Sequence, residues 1–140
     1  MPKHEITRIF VVDDEKIIAE SLALILRKHG YSARFFLNPL EVLQAALLEA
    51  PDLLISDVMM PQLSGIDLAI RMREQCPGCK ILLFSGQAGT ADLLGVARAQ
   101  GHDFHLLSKP IPPSELLHRI RAQDPRFCLT NDATVPVMVP

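Results

Sequence analysis

The chain has 140 residues, 49% of them hydrophobic and 21% charged, which fits one globular domain and leaves little length for a second. Fourteen Lys and Arg against sixteen Asp and Glu give a formal net charge of −2, so direct nucleic-acid binding by this chain is not expected. The first twenty residues carry Asp13, Asp14, Glu15 and Glu20 without a signal peptide's apolar core, and no apolar run approaches the ~18 residues of a membrane span. The expectation is a soluble, cytoplasmic protein with no membrane partner.

Short apolar runs alternate with longer stretches of helical period. Strands are expected over 6–12, 32–36, 53–56, 81–84 and 104–107, three of them near-continuously apolar, as burial on both faces of a parallel sheet requires. Between them, Ile18, Leu22, Ile25, Leu26 and His29 mark a first helical face, with Gly30 as its stop. Asn38-Pro39 supplies a cap and a first-turn proline for a second helix, expected to bury Leu43, Ala46 and Leu47. Ser64 can cap a third helix carrying Ile66, Ala69 and Ile70. Thr90 starts a fourth with Leu93, Leu94 and Ala97, and Pro112-Pro113-Ser114 opens a fifth with Leu116, Leu117 and Ile120 inward. The pattern is βα five times, a doubly wound α/β sheet built on right-handed crossovers. The domain is expected over 1–122. From Gln123 the periodicity fails and prolines intervene, so 123–140 reads as an extension or the start of a linker.

Three cysteines do not suggest a disulfide framework. Cys76-Pro77-Gly78-Cys79 has the spacing of a redox or half-zinc motif, but it supplies only two of four zinc ligands, and Cys128 lies far off in the tail. The plainer reading is two loop thiols, intracellular disulfides being rare. The five histidines do not cluster with other ligands and read as solvated or packing residues.

In an open α/β sheet the ligand crevice lies at the carboxyl ends of the strands. There the first run ends in Asp13-Asp14, the third in Asp57, the fourth in Ser85 and the fifth in Lys109. Each alone is more often a cap, a turn former or a surface charge. Their coincidence at four strand ends points to a site. Three carboxylates at one edge repel by about 4 kcal/mol per pair at about 4 Å and an effective dielectric near 20, so they must protonate, separate or bind a cation. An all-oxygen cluster suits Mg2+; with Lys109 for phosphate and a Ser85 hydroxyl, the set reads as a phosphoryl-transfer site in which a carboxylate could be the nucleophile.

Val11-Val12-Asp13-Asp14-Glu15, Ser56-Asp57-Val58-Met59-Met60-Pro61 with Gly65 eight residues after Asp57, Ser85-Gly86 and Lys109-Pro110 together resemble the receiver domain of bacterial two-component response regulators, over about residues 5–122. The resemblance implies a flavodoxin-like strand order 2-1-3-4-5 with five helices. It further implies that Asp57 accepts a phosphoryl group from the phosphohistidine of a sensor histidine kinase or a histidine phosphotransfer protein. Asp14, Asp57 and the Met59 backbone carbonyl would ligate Mg2+, with Asp13 joining directly or through water. Lys109 and Ser85 would contact the phosphoryl oxygens, and the Met59 and Gly86 amides would complete the cradle. Met59 and Gln87 hold positions lining the approach of hydrolytic water, and the Lys109-Pro110 bond is often cis in the family. The signal would be read by a downstream protein on the face of the fourth helix, fifth strand and fifth helix, with a homodimer on phosphorylation as a further expectation.

One departure concerns the switch. The family commonly places an aromatic residue three before the lysine, where this chain has Leu106; Phe104 is five before, and the stretch into Lys109 looks one residue long. Either a bulge brings Phe104 or His105 into that role, or the aromatic half of the switch is absent. Enzymatic turnover of an external substrate is not expected. An aspartyl-phosphate phosphohydrolase would commonly carry an Asp where Met59 stands, a flavodoxin-like binder would not put Asp13-Asp14-Glu15 at its phosphate loop, and an unphosphorylated scaffold would not retain every acceptor group. A stand-alone receiver is the preferred form, with a receiver cut from a longer regulator as the runner-up.

Overall fold

The computed structural model describes residues 5–86, 90–102 and 104–124, with the backbone alone over 90–93. Five parallel strands, β1 (Arg8–Val12), β2 (Ser32–Phe36), β3 (Leu53–Asp57), β4 (Lys80–Ser85) and β5 (His105–Ser108), form one sheet in the order β2-β1-β3-β4-β5. Helices α1 (Lys16–Lys28), α2 (Pro39–Leu48), α3 (Gly65–Gln75), α4 (Thr90–Ala99) and α5 (Pro113–Gln123) alternate with the strands. Alternate side chains of the central strands feed two apolar layers. Phe10, Val12, Leu54 and Leu83 pack with Val42 and Ala46 of α2, Leu68 and Met72 of α3, and Ala97 of α4. Ile9, Val11, Ile55 and Phe84 pack with Leu22 and Leu26 of α1 and Leu116 and Ile120 of α5. All five residues of β3, the middle strand, are buried, which is why its run carries no polar alternation.

Local signals set the helix ends. The Asn38 side chain accepts from the Leu40 amide at 2.9 Å and Ser64 from the Asp67 amide at 3.1 Å. After α1 and α4 the chain turns at Gly30 and Gly101, both at φ +93°, and in each the flanking amides return to the last-turn carbonyls.

Several boundaries and faces differ from the sequence reading. Ile6 is buried but outside the ladder, because the Asp52 carboxylate takes the Thr7 and Arg8 amides at the foot of β1. β3 extends to Asp57 and β4 to Ser85, while β5 begins at His105 rather than Phe104. The buried face of α1 is Ala19, Leu22, Ala23 and Leu26, the small alanines admitting close approach to the sheet. Ile25 sits at its margin, and His29 is exposed, its ring Nδ1 3.0 Å from the Ile25 carbonyl. In α2 the inward residues are Val42 and Ala46, with Leu43 partly covered; Leu47 points outward and is 72% exposed. That helix is apolar on nearly every side, so its sequence alone leaves the inward face ambiguous. The expectation for Leu93 concerns a side chain outside the described set, as do Gln87, Cys128 and the tail beyond 124.

Candidate functional site

The parallel sheet brings the ends of β1, β3, β4 and β5 to one edge. Asp13 follows β1, and its amide donates to the Phe36 carbonyl at 3.2 Å; Asp57 closes β3, paired with Phe84 of β4. Ser85 closes β4 opposite Ser108, and the Lys109 amide donates to the Ser85 carbonyl at 3.0 Å. One backbone ladder therefore carries carboxylate, hydroxyl and cation together. Asp13, Asp14 and Asp57 each offer an oxygen within 4.8 Å of the others, with Asp13 and Asp57 buried and Asp14 exposed. The Lys109 Nζ lies 3.1 Å from Asp13 Oδ2 and 3.5 Å from Asp57 Oδ2, and it sits 4.9 Å above the centre of the Phe84 ring.

Burial pushes the Asp57 carboxyl above its ordinary range, and the Asp13 charge pushes it the same way, against the pull of Lys109 and of the Met59 amide. Asp13 is raised mainly by burial, although the Glu15 amide, at 2.9 Å, and Lys109 favour its charged form. Burial alone would lower Lys109, but its hydrogen bond to Asp13 and the charges of Asp13 and Asp57 more than offset this, so its pKa is raised. Two acids held against their preferred charge state beside a retained cation are characteristic of a functional pit. The donor set is all oxygen, without thiolate or imidazole, which fits a hard divalent cation better than zinc or copper.

The loop after β3 is shaped by close approach. A side chain at Gly65 would overlap the Asp57 carbonyl oxygen, and the Gly65 amide donates to the Val58 carbonyl at 2.8 Å, holding the start of α3 against the end of β3. The buried Ser56 hydroxyl donates to the Asp57 carbonyl at 2.8 Å. Met59 and Gly86 lie exposed at the rim. The Lys109-Pro110 bond is cis, with Pro110 exposed.

Of the switch candidates, Ser85 and Pro110 lie at this edge, whereas Phe104, His105 and Leu106 are not brought to it. His105 to Ser108 pair one-to-one with Leu82 to Ser85, so this ladder carries no bulge. His105 is exposed at the far end of β5, and Phe104 is buried beyond it beneath Arg73, whose guanidinium lies 4.2 Å from the ring centre. Leu106, opposite Leu83, packs into the layer of α3 and α4. The sequence reading missed Glu15, whose carboxylate lies 4.0 Å from Lys109, and Phe84, the floor under that lysine. Glu15 was visible as the third acid of the run after β1; Phe84 carried no signal separating it from other core residues.

Comparison with known proteins accords with this geometry. Residues 9–121 match the model of the response regulator receiver domain. The chain belongs to the response regulator receiver family. It is similar to the probable transcriptional regulatory protein TcrX of Mycobacterium tuberculosis, at 32% identity over 81% of this chain and 48% of that protein. It is likewise similar to the response regulator MprA of Mycobacterium leprae, at 34% identity over 82% of this chain and 50% of that protein. The receiver thus spans about half the length of these curated relatives. Among solved structures, the Vibrio cholerae chemotaxis protein CheY4 superposes with a TM-score of 0.71 at 27% identity, covering 83% of this chain and 97% of that one. A CheY-like receiver from Methanospirillum hungatei gives 0.76 at 24% identity, covering 93% and 100%, a likeness of fold. Receivers of this family are signalling switches controlled by phosphorylation rather than conventional enzymes, and no helix among the described residues is long and apolar enough to cross a membrane.

Proposed function

We propose that this receiver accepts a phosphoryl group on Asp57 from the phosphohistidine of a sensor histidine kinase or a histidine phosphotransfer protein. The observation that carries the reading is the grouping of Asp13, Asp14 and Asp57 within 4.8 Å, with Lys109 3.1 and 3.5 Å from two of them. An Asp57 carboxylate oxygen attacks phosphorus in line, the phosphorus–nitrogen bond of the donor breaks, and its electron pair returns to the donor imidazole. Lys109 receives the negative charge of the transferred group, the Ser85 hydroxyl donates to one phosphoryl oxygen, and the Met59 and Gly86 amides to others. Asp13, Asp14, Asp57 and the Met59 carbonyl would hold Mg2+, which supplies neutralising charge beside the phosphoryl oxygens.

Drawing Ser85 toward the phosphoryl group biases the face built from α4, β5 and α5, which a downstream protein or a second copy of the chain reads in the cytoplasm. Leu106 stands where many relatives have an aromatic, so the readout here rests on Ser85 and the packing of an aliphatic side chain. The test is transfer of labelled phosphate from a phosphorylated histidine phosphotransfer domain. Label that needs Mg2+, stays with the receiver in denaturant and is released by hydroxylamine, as an acyl phosphate is, supports the reading. Label resistant to hydroxylamine, or retained in Asp57→Ala, contradicts it.

A further inference from the structure

The Cys76-Pro77-Gly78-Cys79 motif is left unused by the phosphoacceptor site and lies at the opposite end of the sheet. Cys76 ends α3, its amide donating to the Met72 carbonyl at 2.7 Å, and Cys79 immediately precedes β4. The Cys79 amide donates to the Cys76 carbonyl at 2.9 Å, closing a four-residue β-turn with Pro77 and Gly78 at its centre. Such a turn keeps its end Cα atoms within about 7 Å, and a disulfide needs about 4.4–6.8 Å. Both thiols are free and pack into the same apolar layer. Cys79 also lines a groove of about 350 Å³ with Lys80, His105 and Gln123, which opens the turn to solvent on the Cys79 side, while Cys76 keeps 9% of its surface exposed. The Cys79 Sγ makes only a weak 3.3 Å bond to the Lys80 carbonyl, little to hold it against rotation toward Cys76.

We propose that Cys76 and Cys79 form a reversible dithiol–disulfide pair, oxidised by small-molecule disulfides of the glutathione class. In the first step the Cys76 thiolate attacks one sulfur of the oxidant, forming a mixed disulfide and expelling one thiolate, which takes up the proton lost by Cys76. The Cys79 thiolate then attacks the Cys76 sulfur and expels the second reagent thiolate, which takes the remaining proton. Two protein thiols are oxidised and one reagent disulfide is reduced to two thiols, so electrons and protons balance.

The assignment of roles follows the surroundings. Burial pushes the Cys76 thiol up, whereas burial together with the charges of Cys76 and Asp52 pushes Cys79 up to about 12. Cys76 is the readier first nucleophile. A dithiol whose thiolates are not stabilised also leaves the disulfide comparatively favoured, the reverse of pairs whose low thiol pKa makes them strong oxidants. Intracellular disulfides of this kind are usually transient and redox-sensing.

The test incubates the full chain with excess oxidised glutathione, quenches by alkylation in denaturant, and maps peptides by mass. The expected result is a Cys76–Cys79 disulfide with loss of two hydrogens, unchanged in Cys128→Ser and reversed by dithiothreitol, with Cys79→Ser trapping one glutathione on Cys76. Free thiols at both positions after prolonged oxidation, a bond to Cys128, or covalent dimers instead of the internal link would overturn the proposal. The wild-type map decides the matter even where a serine variant folds poorly.

Discussion

The two ends of the sheet handle charge in opposite ways, half-exposed and paired at one end, buried and crowded at the other. At the amino end the Asp52 carboxylate accepts from the Thr7 and Arg8 amides at 3.0 and 2.8 Å, and the Arg8 guanidinium bonds the Glu49 carboxylate and the Ala50 carbonyl, each at 2.9 Å. Each of these groups meets an oriented partner, and the arrangement fastens β1 to the loop before β3. At the carboxyl end three carboxylates share Lys109, and burial holds Asp13 and Asp57 above their ordinary pKa. The amino end pairs its charges for stability; at the carboxyl end the crowding of buried acids costs stability, the pattern of a functional site.

Substitutions sharpen this contrast. Gly65→Ala has the largest expected effect on stability, about 3 kcal/mol, because the new Cβ meets the Asp57 carbonyl and Ser56 Oγ rather than a flexible side-chain end. Chemical denaturation measures the loss, and phosphoryl uptake falls with it because the acceptor strand must shift. Asp52→Ala removes two amide bonds and lowers stability by about 2 kcal/mol by the same measurement. Its phosphoryl uptake stays at the wild-type level, and a loss of uptake would break the division of labour between the two ends.

Asp57→Asn acts in the other direction, raising stability by about 1 kcal/mol at neutral pH when measured with a chelator present. The sign follows from linkage: a carboxyl whose pKa is raised by folding binds protons more tightly in the native state, so its contribution falls as pH rises from the unfolded value of 3.8 through the folded one. The advantage of the variant therefore vanishes below that window and levels off above it. A variant that is less stable than wild type at pH 7 would contradict the charge-crowding argument. Leu47→Gln, on the outer side of α2, changes stability by no more than about 0.5 kcal/mol.

Particular residues explain how far the sequence could be read. The ends of β1, β3, β4 and β5 announced Asp13, Asp57, Ser85 and Lys109, because a parallel sheet must deliver strand-end residues to one edge whatever its helices do. The caps at Asn38 and Ser64 and the stop at Gly30 are local chemistry and equally legible. The outward Leu47 was not, since in a helix apolar all round the inward face is chosen by the sheet beneath it. Nor could spacing into Lys109 decide between a bulged and a regular β5; that depended on the one-to-one pairing of His105 to Ser108 with β4. The partnership of Asp52 with β1 joins residues more than forty positions apart and has no sequence pattern of its own.

The most direct test of the central claim is the intact mass of the protein after incubation with acetyl phosphate, with and without Mg2+, beside Asp57→Asn and Asp52→Ala. The account predicts one added phosphoryl group in the wild type and in Asp52→Ala, dependent on Mg2+, and none in Asp57→Asn. An adduct that survives Asp57→Asn, or its absence from a folded wild type in which a fluoroberyllate analogue also fails to bind, would contradict the assignment of Asp57 as the phosphoacceptor.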